Sequence, residues 1–226
     1  MPSEIFMRLK FHKKNAIMEA ACRELADESC NNLQIGRLAA RMQISRSAFY
    51  SYFHNRRDFL CCLLYYLYDS VLADFLYCLQ TEDGDFQEAC IRAVSRMKED
   101  KKWELYASLC QRFINEKEYQ EIAVDTVKEY HESGKIREFT EACYGKLDPE
   151  RYGFLEKDKL ECGIILVLDI ILCALYTYGA DSTDEEWEAL LCRLRIIGRG
   201  LQRLSSEQKI HIVYKSKLKG NLRHEE

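Results

Sequence analysis

The densest run of side chains able to do chemistry is Ser45-Arg46-Ser47-Ala48-Phe49-Tyr50-Ser51-Tyr52, followed closely by Asn55-Arg56-Arg57. A guanidinium near the start of a short helix can reach a guanine edge, which makes Arg46 the candidate base reader. The hydroxyls of Ser45, Ser47, Tyr50 and Tyr52 and the guanidinium of Arg56 suit phosphate oxygens, which fix a protein on a duplex without reading its sequence. Phe49 and Phe53 share the apolar face of this segment and are expected in the core, whereas Tyr50 and Tyr52 lie on other faces. The chemistry on offer is polyanion binding rather than bond making.

Nothing else in the chain has the form of a catalytic centre. There is no glycine-rich phosphate loop, no G-x-S-x-G, no H-E-x-x-H and no Cys–His pair spaced as nucleophile and base. An enzyme is therefore not expected, nor a cofactor or metal. The eleven cysteines contain no C-x-x-C and no zinc-finger spacing, so they are expected as reduced thiols acting as small apolar side chains. Asp169 is the one conspicuous ionisable residue in the apolar run GIILVLDIILCALYTY at 163–178. It is expected to hydrogen-bond across a subunit boundary or to read a ligand.

The elements that must position these residues are helical. Two prolines and ten glycines in 226 residues are too few turn residues for a many-stranded fold. Apolar spacing of three and four predicts helices at about 13–29, 34–41, 45–52, 57–79, 86–98, 102–114, 117–133, 135–145, 158–179 and 184–204. Ser45 is the expected N-cap of the third, and Thr183-Asp-Glu-Glu186 has the form of a capping box opening the last. Lys209–Lys215 alternates like a short strand, but a lone strand has nothing to pair with. The tail 205–226 is expected to find a pairing strand elsewhere or to be disordered.

Charge is distributed unevenly. Residues 1–60 carry ten Lys and Arg against six Asp and Glu, a net of +4 within a chain whose overall charge is -4. A basic head on an acidic body suits a head that binds a polyanion. Lys13 and Lys14 read as solvated surface that adds salt-dependent affinity near phosphate. The opening MPSEIFMRLKFHKK puts charges where a signal peptide needs an apolar stretch, so a cytoplasmic protein is expected. The apolar run at 163–178 is short of the roughly 20 residues that cross a bilayer and is expected as a buried helix, with no membrane partner.

Three short helices within about fifty residues, the last two joined by a tight turn, form the helix-turn-helix pattern. In Leu33-Gln-Ile-Gly-Arg-Leu-Ala39 and Ile44-Ser-Arg-Ser-Ala-Phe-Tyr-Ser-Tyr-Phe-His-Asn-Arg-Arg-Asp-Phe-Leu60 the chain resembles the TetR-like bacterial transcriptional regulators. The resemblance covers residues 12–65 and implies that Arg46, Ser47 and Ala48 face bases. It also implies that Ser45, Tyr50, Tyr52 and Arg56 hold the backbone, with Gln34 and Arg37 adding flanking contacts. Two positions depart from the family pattern: Gln43 stands where Gly is frequent, and Gln34 where Thr is frequent. A left-handed Gln43 costs around 1 kcal/mol, and Gln34 is a poor N-cap beside Asn32.

The resemblance implies an all-α protein: a three-helix DNA-binding head at 1–56 and a helical-bundle effector and dimerisation body at 57–204. A homodimer would bind a palindromic operator on double-stranded DNA as a repressor released by a small-molecule effector. The last two long helices support the dimer independently: 158–179, with Ile165, Leu168 and Leu172, is too apolar for the surface of a monomer, and 184–204 carries Trp187, Leu190, Leu191, Leu194, Ile197 and Leu201 along one side. Candidate pocket residues are Tyr65, Tyr68, Phe75, Trp103, Tyr106, Phe113, Tyr130 and Phe139, with Asp169. Two other readings fit the same residues: the same head controlled by a protein partner or by no ligand, and a helical interaction or thiol-sensing protein without DNA binding.

Overall fold

The computed structural model describes residues 2–27, 34–178 and 182–221. Among the described residues there are twelve helices and no strand. They run α1 Glu4–Met7, α2 Phe11–Asp27, α3 Ile35–Arg41, α4 Arg46–Tyr52, α5 Arg56–Thr81 and α6 Phe86–Glu99. Then follow α7 Lys102–Asn115, α8 Lys117–Glu132, α9 Lys135–Tyr144, α10 Pro149–Tyr152, α11 Lys157–Thr177 and α12 Asp184–Asn221. The all-α class and the ten expected helices are present, most with ends within two residues of expectation. The additions are the four-residue helices α1 and α10, each capped at its start by a side chain, Ser3 for α1 and Asp148 for α10.

The chain divides into two compact units, the first made of Met1–Val71, Arg96–Ser133 and Leu172–Thr183. Its N-terminal part is closed by Ile17, Ala21 and Leu25 of α2, Leu38 and Ala39 of α3, and Phe49 and Phe53, all 2% exposed or less. Phe59 of α5 meets Phe49 in a tilted contact at 5.4 Å and Phe53 nearly edge-on at 5.2 Å between ring centroids. Each such buried ring contributes roughly 1.5–3 kcal/mol, so these three fix α4 against the start of α5. α7 carries Trp103, Tyr106, Leu109 and Phe113 into the core of the same unit.

The second unit comprises Leu72–Ser95, Gly134–Ile171 and Asp184–Glu226. Here Gly163 of α11 lets α12 come close, since a Cβ at that position would meet Leu201 Cδ1 at 2.7 Å. Gly84, at φ +79°, turns the chain where any side chain would strike the Lys146–Asp148 backbone.

The strand-like reading of 209–215 is corrected, because α12 continues as one helix to Asn221. Ser205 is 2% exposed and its Oγ accepts the Phe154 amide at 3.2 Å, which carries the helix past residue 204. A lone strand would leave its backbone groups unpaired, while a helix satisfies them locally. The end of the expected tail, 222–226, lies outside the described residues, as do Asn32 and most of the expected break at 179–183.

α5 and α11 are long and apolar enough to cross a membrane by length and composition, with mean hydropathy 1.5 and 2.1 over their most apolar stretches. α11, at 21 residues, matches the expected 158–179 helix to within two residues at each end. Half of each stretch is buried within the protein, as in the core helices of a helical bundle.

Candidate nucleic-acid interface

The site is built on a strained turn. Gln43 is left-handed at φ +55°, as expected, and its amide donates to the Ala40 carbonyl at 3.1 Å while that of Ile44 donates to Ala39 at 3.0 Å. The chain then becomes extended at Ser45, whose Oγ accepts the Ala48 amide at 3.0 Å and lies 2.9 Å from Ser47 Oγ. Gln34 occupies the cap position of α3 without a side-chain bond.

Burial of Phe49 and Phe53, both 0% exposed, decides which way the rest of α4 faces. Ser45, Arg46, Ser47, Tyr50 and Ser51 are exposed, and Ala48 is half-buried. Tyr50 stands edge-on to Phe49 at 5.5 Å with nearly half its surface in solvent. Arginine, hydroxyls and a phenol thus form one solvent-facing row on a short, well-anchored helix, an arrangement able to bond base edges and phosphates.

α3 is tied to α2 through Glu24. This carboxylate is 6% exposed and takes Arg37 Nε at 2.8 Å and Arg41 Nε at 3.1 Å. Arg37 is therefore held in place beside the exposed Gln34.

Two expected backbone contacts are corrected. Tyr52 is 8% exposed, with its ring 5.6 Å from Phe6 of α1. Its face of α4 is covered by a segment 46 residues away in sequence, beyond the reach of local periodicity. Arg56 is half-buried, its guanidinium 5.0 Å from the Tyr119 ring of α8, a cation–π arrangement that directs it toward the helical body. The next residue, Arg57, is ion-paired with Asp125 of α8 at 2.5 Å. Asn55 caps α5 by accepting the Asp58 amide at 2.8 Å.

The expected pocket aromatics fall into separate groups. In the first unit Tyr130 is edge-on to Tyr65 and Tyr68, each at 5.0 Å, and its hydroxyl donates to Asp69 at 2.8 Å. Tyr106 donates to Ser70 Oγ at 2.9 Å, and Trp103 and Phe113 are buried nearby in α7. Burial pushes the Tyr68 and Tyr130 phenols up, and that of Tyr176 to about 12. Phe75 and Phe139 belong to the second unit, 5.9 Å apart. Asp169 is exposed on α11.

The expected dimer residues are corrected in register. Leu168, Leu172, Leu190, Leu194 and Leu201 are 4% exposed or less within one subunit, so the subunit's own core claims them. Ile165, Trp187, Leu191 and Ile197 are half-buried. Among the described residues of α11 and α12, the large apolar side chains left in solvent are Leu166 at 52%, Ile196 at 66%, Leu204 at 38% and Ile210 at 57%. The thiols divide likewise: Cys22, Cys78, Cys90, Cys110 and Cys143 are buried as expected, Cys61 and Cys62 are intermediate, but Cys162, Cys173 and Cys192 are exposed.

Among known families, the model of bacterial regulatory proteins of the tetR family matches residues 17–60. Among solved structures, a TetR family transcription regulator from Marinobacter aquaeolei VT8 is similar at 19% identity. The alignment covers 82% of this chain and 94% of that one with a TM-score of 0.45. No curated protein matches the chain.

Proposed function

We propose that this chain, whose residues 17–60 match the model of the tetR-family regulatory proteins, is a homodimeric transcriptional repressor that binds a palindromic operator through that head. The observation that carries the reading is the solvent-facing row Arg46, Ser47 and Tyr50, set opposite the fully buried Phe49 and Phe53. Arg46 enters the major groove to read a base, and Ala48 offers its methyl group to a thymine. Ser45, Ser47 and Tyr50 bond phosphates, with Gln34 and Arg37 flanking them.

The head comprises 1–56 and the body runs from 57 through the end of α12 at Asn221. A two-fold dimer brings two heads to the two halves of a palindrome. The exposed Leu166 of α11 and Ile196 and Leu204 of α12 supply the apolar surface for it. In the body, the buried tyrosines around Tyr130 are the place where a small molecule binds. Such a ligand lowers operator affinity by binding more tightly to the dimer state in which the heads are wrongly spaced. The protein works in the cytoplasm, where its DNA is.

The test titrates the purified protein against DNA from upstream of its own gene and against genomic fragments, at several salt concentrations. Selective binding that falls steeply with salt, and is lost in Arg46→Ala, Tyr50→Ala while the dimer persists, supports the reading. A folded dimer that binds no fragment at low salt overturns it.

A further inference from the structure

The segment before α2 lies outside the matched residues 17–60, yet it is built into the reading head. The last carbonyls of a helix have no partner within the helix. At the end of α4 two of them are answered from the N-terminus: the Ser3 amide donates to Tyr52 at 2.8 Å, and Ser3 Oγ to Ser51 at 2.6 Å. Phe6 is 3% exposed, its ring 5.6 Å from that of Tyr52 and 5.0 Å from that of Phe53. α1 is thereby bonded to and packed on the end of the recognition helix.

The chain that leaves α1 is strongly basic. Arg8-Leu-Lys-Phe-His-Lys-Lys14 holds four cations and no acid. Its path is fixed, because the Leu9 amide donates to Phe6 at 3.1 Å and Lys14 Nζ to the Met7 carbonyl at 3.2 Å. Arg8 is paired with Glu4 at 2.8 Å, while Lys10 and Lys13 are exposed. A seven-residue helix such as α4 is roughly 10 Å long, and the major groove is about 12 Å wide. An element bonded to its end therefore lies within a side chain's length of a bordering phosphate strand.

We propose that Ser3–Lys13 is a second DNA-contacting element, in which α1, docked on the end of the recognition helix, holds Lys10 and Lys13 against the phosphate backbone beside the groove. The inference rests on the head binding DNA as proposed above. It goes beyond that reading in assigning the role to α1 and the start of α2, which precede the matched residues 17–60 in the chain. Lysine contacts of this kind add affinity to every sequence and release counterions, so they are read in the salt dependence rather than in selectivity.

The test measures binding of the full-length protein to a fluorescent mixed-sequence duplex of about 30 base pairs over about 50–200 mM salt. Lys10→Gln, Lys13→Gln is expected to lower the slope of log affinity against log salt by about 1.8, at 0.9 per phosphate. Over that fourfold range the wild type then loses roughly twelvefold more affinity than the variant. Lys159→Gln, an exposed cation in the second unit, is expected to keep the wild-type slope. Ser3→Ala, Phe6→Ala retains every cation but releases the dock, and is expected to lose part of the same slope; the milder Ser3→Ala serves where the double variant unfolds. Equal slopes in wild type and the lysine variant overturn the proposal, and a wild-type slope in the undocked variant overturns its docked form. Failure of the folded wild type to bind the duplex at low salt counts instead against the DNA-binding reading itself.

Discussion

Ser45 holds the first turn of the recognition helix through the amide of Ala48, at 3.0 Å. A helix of seven residues is too short to be stable alone, so this cap and the buried rings decide whether α4 forms.

Ser45→Ala is expected to cost about 1 kcal/mol of stability and to weaken DNA binding. Ser45→Asp keeps a capping oxygen but places a carboxylate beside phosphate. It is expected to retain the wild-type denaturant midpoint while abolishing binding. If Ser45→Asp binds DNA as the wild type does, Ser45 does not face the backbone.

Gln43 sits at φ +55° with its side chain exposed, a conformation that costs a non-glycine residue roughly 1 kcal/mol. Gln43→Gly is expected to stabilise the protein by about 0.5 kcal/mol, the relief being partly offset by the greater freedom of an unfolded glycine. Gln43→Val, with a branched Cβ, is expected to destabilise it by more than that. Urea midpoints of the three proteins give the order, and a Gly variant less stable than the Val variant would contradict the strained turn.

How far these elements were legible depended on how local their causes are. The spacing of Leu60, Leu63, Leu64, Leu67 and Val71 predicted a helix over 57–79, and α5 runs from Arg56 to Thr81. The Ser45 cap and the left-handed Gln43 were likewise visible, since both follow from residue type at a turn. Tyr52 was misplaced because Phe6, which covers it, arrives from 46 positions away on a helix too short to show a period. Arg56 was misplaced for the same reason, its partner Tyr119 lying in α8. In α12, Leu190, Leu194 and Leu201 avoid water as their spacing predicts, but within their own subunit. A pattern shows which residues avoid water, not whether their own subunit or a second one covers them.

Burial raises the thiols of Cys22 and Cys143 to about 12 from an ordinary 9.0, and pushes Cys90 and Cys110 up as well. The folded state therefore holds these protons more tightly than the unfolded chain. Its advantage is present in full below the unfolded value near pH 9 and is lost as pH rises through the folded values. The denaturant midpoint is expected to be level between about pH 7 and 8 and to fall steadily above about pH 9. Cys22→Ala should flatten part of that fall. A midpoint unchanged up to about pH 11 would mean that the thiols open to water in the folded state.

The exposed thiols report on the proposed dimer. Cys162 and Cys173 share the solvent face of α11 with Leu166, and Cys192 that of α12 with Ile196. If these faces meet a second subunit, association covers thiols that a monomer leaves open. Labelling with iodoacetamide at about pH 8, which needs thiolate and access, is then expected to be slow for all three at high protein concentration and to speed up on dilution. Buried Cys22, Cys90 and Cys110 should react only after unfolding at either concentration. Ile196→Asp, placing a charge in the apolar contact, is expected to give a folded monomer whose three exposed thiols label fast throughout. Should they label at that same rate in a protein that sediments as a dimer, the two-fold axis lies on another face of the subunit and the spacing of the two heads must be set there.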